Sequence, residues 1–197
     1  YMPEDIKVLR EKLADKYFCN FSVFQSIPDS WAIDQVFPVV PIQRLNEEPQ
    51  RDATLEDITC DSDGNLDHFI GTNRNNTSTL KVHKVEHKES YQLGIFLVGS
   101  YQEILGDLHN LFGDTNTFHV SIQDDGCLKY EQIIEGEDVT DVLDYVQYKA
   151  DELAVRVAGF LSKSVESGDI TQKESDEFFA LYKSGLNGYT YLLNSTV

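Results

Sequence analysis

Basic residues are scarce in this sequence. It holds 16 lysines and arginines against 34 aspartates and glutamates, a formal charge of −18 and a pI near 4.4. A duplex-binding face and a dock on anionic lipid both need clustered Lys and Arg, so this balance argues against both. Cysteine is sparse too. Cys19, Cys60 and Cys127 are far apart and odd in number. That argues against a disulfide framework and points to a reducing, cytoplasmic setting. No apolar run approaches the roughly 20 residues of a membrane span. Residues 1–5 lack the basic start and apolar stretch of a secretion signal. Neither a repeat nor a low-complexity tract is present. What remains is 197 residues, 41% hydrophobic and 25% charged, which is enough to bury a core.

The pattern predicts an α+β chain in three parts. Pro3, Glu4 and Asp5 form a helix start, and Ile6, Leu9, Leu13 and Tyr17 recur at helical spacing. The first part, 1–17, is therefore read as a helical connection. The second, 18–135, reads as a mostly antiparallel β-domain. Strands are expected at 20–25, 80–85 and 93–98, with a strand end at 58–60. Pro38 and Pro41 confine 36–42 to an edge strand or an irregular extended segment. Polar residues and Pro49 make 46–56 a loop. An internal helix is expected at 101–112, from Ile104, Leu105, Leu108, Leu111 and Phe112, with Gly113 as its stop. Phe118, Val120 and Ile122, then Leu128, Tyr130 and Gln132, alternate around Asp125-Gly126 as a β-hairpin. The third part, 138–197, carries helical stripes and a Thr171–Glu174 capping box. Its end, residues 188–192, is apolar and should pack down.

Several residues could carry chemistry. His83, Glu86 and His87 match the inverted zincin pattern, but they stand in a strand-like context with no third ligand. Asp61, Asp63, Asn65 and Asp67 resemble the start of a calcium loop. Gly64 is in the wrong place, however, and Thr72 stands where a Glu is needed. Cys60 beside Asp61 pairs a thiol that can hand over a proton with a carboxylate that can hold a cation. Gly99 and Tyr101 lie where a strand hands over to a helix, and free N–H groups there suit a phosphate. On pattern alone, a core Tyr after a tight turn is the better explanation of them. His109 and Asn110 read as helix C-terminal polarity.

Longer strings are more specific. Residues 21–35 (FSVFQSIPDSWAIDQ), 41–49 (PIQRLNEEP) and 57–64 (DITCDSDG) resemble biosynthetic arginine decarboxylase. So do 93–114 (LGIFLVGSYQEILGDLHNLFGD) and 185–192 (GLNGYTYL). The resemblance covers essentially the whole chain but only the last third or so of the family's polypeptide. It implies a fold-type III decarboxylase, dependent on pyridoxal 5'-phosphate and magnesium, that turns L-arginine into agmatine and CO2 for polyamine synthesis. It further implies an N-terminal (β/α)8 barrel, absent here, that carries the Schiff-base lysine. A β-domain like that of alanine racemase and the decarboxylases, a barrel or sandwich, follows it, with helical segments. Active sites lie at dimer interfaces, and dimers pair into tetramers.

By the same resemblance, Cys60 is the proton donor and Asp61 binds the substrate guanidinium across the interface. Tyr101 of the Gly99-x-Tyr101 motif contacts the cofactor phosphate. Ornithine-type relatives carry a second acid where this chain has Gly64, so Asp63 is a further candidate for substrate contact. No lysine here can be nominated for the Schiff base, and the chain alone should be inactive. Three alternatives stay open: another fold-type III decarboxylase (for ornithine, lysine or diaminopimelate), a non-catalytic regulatory homologue, and an acidic metal-binding module.

Overall fold

The computed structural model describes residues 6, 8, 9, 12–71, 76–86 and 89–193. Pro3, Glu4, Asp5, Thr72 and His87 lie outside them. The described residues divide into two compact units, one up to Asn110 and one from Leu111 onward.

The first unit is built around one strand. β1 (Asp15–Phe18) runs parallel to β3 (Arg51–Glu56), and Tyr17 pairs with Leu55. The expected helix to Tyr17 therefore stops short of that residue. β3 is also paired antiparallel with β4 (Asn65–Leu66) at one end and β7 (Leu80–Val82) at the other. The expectation of a loop over 46–56 is thus overturned at the most central strand of the sheet. Its polar residues misled: Ala53 and Leu55 are buried on one face, while Asp52, Thr54 and Glu56 alternate outward. Between β1 and β3 in the chain comes β2 (Val39–Pro41), which among the described residues pairs only with β8 (Leu93–Ile95), so Pro41 stands on an edge as its missing N–H requires. β5 (Phe69–Ile70) pairs with β6 (Asn76–Thr77).

Residues 20–25 are not a strand. α1 (Val23–Ser26) starts there because Ser22 caps it, its Oγ accepting from the Gln25 N–H at 3.3 Å. α2 (Pro28–Ala32) follows with Pro at its first position. The core joins these helices to the sheet: Val23, Ile27, Phe37, Val39, Leu55, Leu66 and Phe69 are buried together. Each large member contributes about 1.5–3 kcal/mol by leaving water. α3 (Ser100–Leu105) packs against α1 and α2. It ends well before Phe112, because Gly106 takes an extended conformation and lies against the Gln25 carbonyl. A separate 3-10 turn, His109–Leu111, follows.

The second unit opens with a hairpin, β9 (Thr117–Ile122) and β10 (Leu128–Ile134). Gly126 at φ +81° makes its turn. Between Tyr130 and Gln132 a bulge shifts the register: Glu131 is passed over, and Gln132 pairs with His119 and Ile133 with Phe118. Three helices complete the unit: α4 (Val139–Tyr145), α5 (Ala150–Ser167) and α6 (Gln172–Leu186). Asp138 and Asp141 form a capping box on α4, and Thr171 and Glu174 form the expected one on α6. The apolar end packs down as far as Tyr191, while Leu192 stays exposed. Tyr191 is buried and donates to the Gly113 carbonyl at 2.8 Å, and the Gly113 N–H donates to Thr190 Oγ1. Among the described residues, no helix is long and apolar enough to cross a membrane. The architecture is α+β, with mostly antiparallel strands and a C-terminal helical region.

Candidate functional site

β3 ends at Glu56, and the chain turns through residues 57–64 before β4. The expected strand end at 58–60 is a bend in this turn. Asp57 is its internal support. Only 3% exposed, its carboxylate accepts from the Val23 N–H at 2.9 Å, the Thr59 N–H at 2.8 Å and the Thr59 hydroxyl at 2.7 Å. The Asp57 N–H in turn donates to the Gly64 carbonyl at 2.8 Å. The turn is therefore tied both to α1 and to itself.

Cys60 and Asp61 stand on the outside of this turn, opposite the 3-10 turn. The Cys60 thiol is exposed and donates to Asn110 Oδ1 at 3.3 Å. Asp61 Oδ2 accepts from His109 Nε2 at 2.9 Å, and Asp61 Oδ1 accepts from the Asp63 N–H at 3.0 Å. The Asp63 amide first, and then the His109 imidazole, hold the Asp61 carboxyl below the usual carboxylate range. It is thus an anion with two donors already on it. A carboxylate offers about four lone-pair sites, which leaves room for a bidentate cation.

His109 and Asn110 are the residues that sequence reasoning undervalued. They do not end a helix. The His109 ring packs on buried Phe24 with centroids 4.4 Å apart, and Asn110 sits at φ +58°. One signal was available: His-Asn follows the helix-breaking pair Gly106-Asp107, and Asn tolerates the left-handed region better than most residues.

The other candidates sit elsewhere in the same unit. Asp63 turns to α2, where Trp31 Nε1 donates to its Oδ2 at 3.3 Å. Both residues line a hollow of about 340 Å³, and neither Cys60 nor Asp61 lines it. Gly99 and Tyr101 start α3. Gly99 is its N-cap, a Cβ there would meet nothing within 4 Å, and the Tyr101 side chain is exposed. Free N–H groups at a helix start, open space and a phenol hydroxyl fit the phosphate end of a cofactor. Glu103 is the one acid in that first turn.

The metal-like patterns are used up locally. His83 lies just past β7, off any helix. Its Nε2 reaches the Glu47 carbonyl at 3.1 Å and its Nδ1 the Tyr91 hydroxyl at 2.7 Å. Asn65 donates to the Ser62 carbonyl at 3.0 Å. Among the described residues, no group of three or more His, Cys, Asp or Glu could hold a metal ion.

Residues 139–192, which carry α4 to α6, match the arginine decarboxylase C-terminal helical extension. The biosynthetic arginine decarboxylase of Bacteroides thetaiotaomicron is 57% identical over 98% of this chain and 30% of its own length. The resemblance is to the C-terminal portion of biosynthetic arginine decarboxylase. The arginine decarboxylase of Phocaeicola vulgatus is 56% identical over the same shares. The solved biosynthetic arginine decarboxylase of Campylobacter jejuni superposes with a TM-score of 0.78 at 37% identity, covering 90% of this chain and 29% of that one. The chain thus spans about 30% of the length of these arginine decarboxylases.

Proposed function

We propose that this chain is the part of a pyridoxal-phosphate-dependent arginine decarboxylase that supplies a proton donor and a substrate carboxylate. The carrying observation is the adjacent pair Cys60 and Asp61 on one turn, each held by a separate residue of the facing 3-10 turn. The relatives' shared name supports the substrate.

Asp61 meets the guanidinium of L-arginine with two parallel hydrogen bonds, through the lone pairs that His109 and Asp63 leave free. Fixing that end sets the distance to the reacting carbon. The Cys60 thiol gives its proton to the carbon from which CO2 departs, yielding agmatine. Tyr101, with the N–H groups that open α3, holds the phosphate of the cofactor, and Gly99 keeps the approach open. The cofactor, when bound, supplies the electron sink that makes loss of CO2 possible. Asp63 is a second substrate contact in this reading. The Schiff-base lysine comes from the barrel-bearing portion of the longer polypeptide. Cys60 and Asp61 reach a partner subunit's site, in a cytoplasmic dimer or tetramer that serves polyamine synthesis. Magnesium belongs to the reading only through the family, with no ligand assigned here.

The test is Asp61→Ala in the full-length polypeptide. The KM for L-arginine should rise at least tenfold, about the loss of one charge-assisted pair, with cofactor absorbance unchanged. Cys60→Ala should instead lower kcat by about 100-fold. An unchanged KM in Asp61→Ala contradicts the assignment.

A further inference from the structure

We infer that His109 and Asn110 are a pair of positioning residues that aim the Asp61 carboxylate and the Cys60 thiol independently of each other. This rests on the decarboxylase reading for its kinetic consequences but not for its geometry.

Three observations carry it. First, two consecutive side chains on one turn meet two consecutive side chains on another: His109 Nε2 to Asp61 Oδ2 at 2.9 Å, and Cys60 Sγ to Asn110 Oδ1 at 3.3 Å. A thiol has one proton and therefore one direction, and among the described residues Asn110 Oδ1 is the acceptor that fixes where it points. Second, the clamp has its own support. His109 packs on Phe24, which is buried on α1, and the Asp107 N–H donates to the Phe24 carbonyl at 3.1 Å. The same helix gives Asp57 its Val23 N–H, so both turns hang from α1. Third, the clamp costs backbone strain. Asn110 at φ +58° is followed by Leu111 at φ +61°, and a branched side chain rarely adopts that region. Strain held in place by surrounding contacts marks a position kept for something other than stability.

The division of labour follows. His109 restrains the carboxylate that binds substrate, so its loss acts on KM. Asn110 restrains the thiol that delivers a proton, so its loss acts on kcat.

Asn110→Gly is the decisive variant, since Gly accepts φ +58° freely and removes only the Oδ1 acceptor. Asn110→Asp keeps both an acceptor and tolerance of that backbone region. The first readout needs no turnover: alkylation of Cys60 by iodoacetamide, followed by peptide mass spectrometry with exposed Cys127 as internal reference. Freed of its hydrogen bond, Cys60 should react about fivefold faster relative to Cys127 in Asn110→Gly, and near the wild-type ratio in Asn110→Asp. In the full-length polypeptide, Asn110→Gly should lower kcat at constant KM. His109→Ala should raise KM at constant kcat, and His109→Gln, which restores an N–H donor, should recover part of it. An unchanged alkylation ratio in Asn110→Gly overturns the inference, as does equal loss of kcat and KM in both variants. An alkylation shift without any CO2 release supports the clamp and sinks the decarboxylase reading instead.

Discussion

Gly64 lies directly against the carboxylate of Asp57. A Cβ at position 64 would come within 2.6 Å of Thr59 Oγ1 and closer still to Asp57 Oδ1. This explains why an acid cannot stand four residues after Cys60 in this turn: there is no room for any side chain. Gly64→Ala should destabilise the first unit by about 1–3 kcal/mol, the usual cost of forcing an atom into a packed site. The thermal midpoint of the chain reads this directly. An unchanged midpoint means that the turn is looser than described.

Asp57 is structural rather than catalytic, although it lies three residues from Cys60. Removing its carboxylate in Asp57→Ala strands the buried N–H of Val23 and the half-buried N–H of Thr59. Unsatisfied buried donors cost about 1–3 kcal/mol each, so a loss of about 2–4 kcal/mol is expected. A lower denaturant midpoint at constant m-value checks this. Asp57→Asn should lose less, because it keeps one oxygen for a donor.

The Asp61 carboxyl should titrate below the ordinary aspartate range in the folded chain. The Asp63 amide is the larger cause and His109 the smaller. A group whose folded pKa is depressed contributes stability that is present above its unfolded pKa and is lost as pH falls through the folded one. The contribution of the Asp61 carboxylate's own depressed titration is therefore present at neutral pH and is lost as pH falls through its folded value, below the normal carboxylate range. Carbon-detected NMR of the Asp61 carboxyl gives the midpoint. His109→Ala should raise it only partway, since the amide remains. A midpoint at or above the ordinary range contradicts the geometry.

The three thiols should react in two classes. Burial first, and Glu56 second, push the Cys19 thiol up to about 11. Cys60 and Cys127 are exposed. Because the thiolate is the nucleophile, alkylation of the folded chain at pH 8 should label Cys60 and Cys127 and spare Cys19 until denaturant is added. Labelling of Cys19 at a comparable rate in the native state argues against its place beside the core.

Long, strongly patterned elements could be read in the sequence, and short ones could not. The alternation of Phe118, Val120 and Ile122 with a Gly turn gave the hairpin, and Thr171 with Glu174 gave the start of α6. The phase slip at Glu131 is a bulge, which alternation alone does not reveal. Residues 21–25 alternate like a strand, yet one hydroxyl, that of Ser22, caps a helix there, because a short apolar run fits either period. β3 was hidden by its polar outward face and by Pro49 just before it. Cys60, Asp61 and Tyr101 are legible through the family resemblance of the strings that hold them, since residue type alone leaves them ordinary. His109 was singled out too, but its partner Asp61 lies 48 residues away, and only the fold brings them together. The two compact units divide at Asn110, whereas composition changes character near Gly136. Contacts and composition follow different boundaries because the hairpin belongs with the helices.

In the proposed function, Asp61 selects arginine in a decarboxylase of which this chain is one portion. The most direct measurement is CO2 release by the full-length polypeptide from L-arginine, L-ornithine and L-lysine, beside its Asp61→Ala variant and the isolated chain with added pyridoxal phosphate. Release from arginine alone, abolished or shifted in preference by Asp61→Ala and absent from the isolated chain, is the predicted result. Release that ignores Asp61→Ala, or turnover by the isolated chain, contradicts the account.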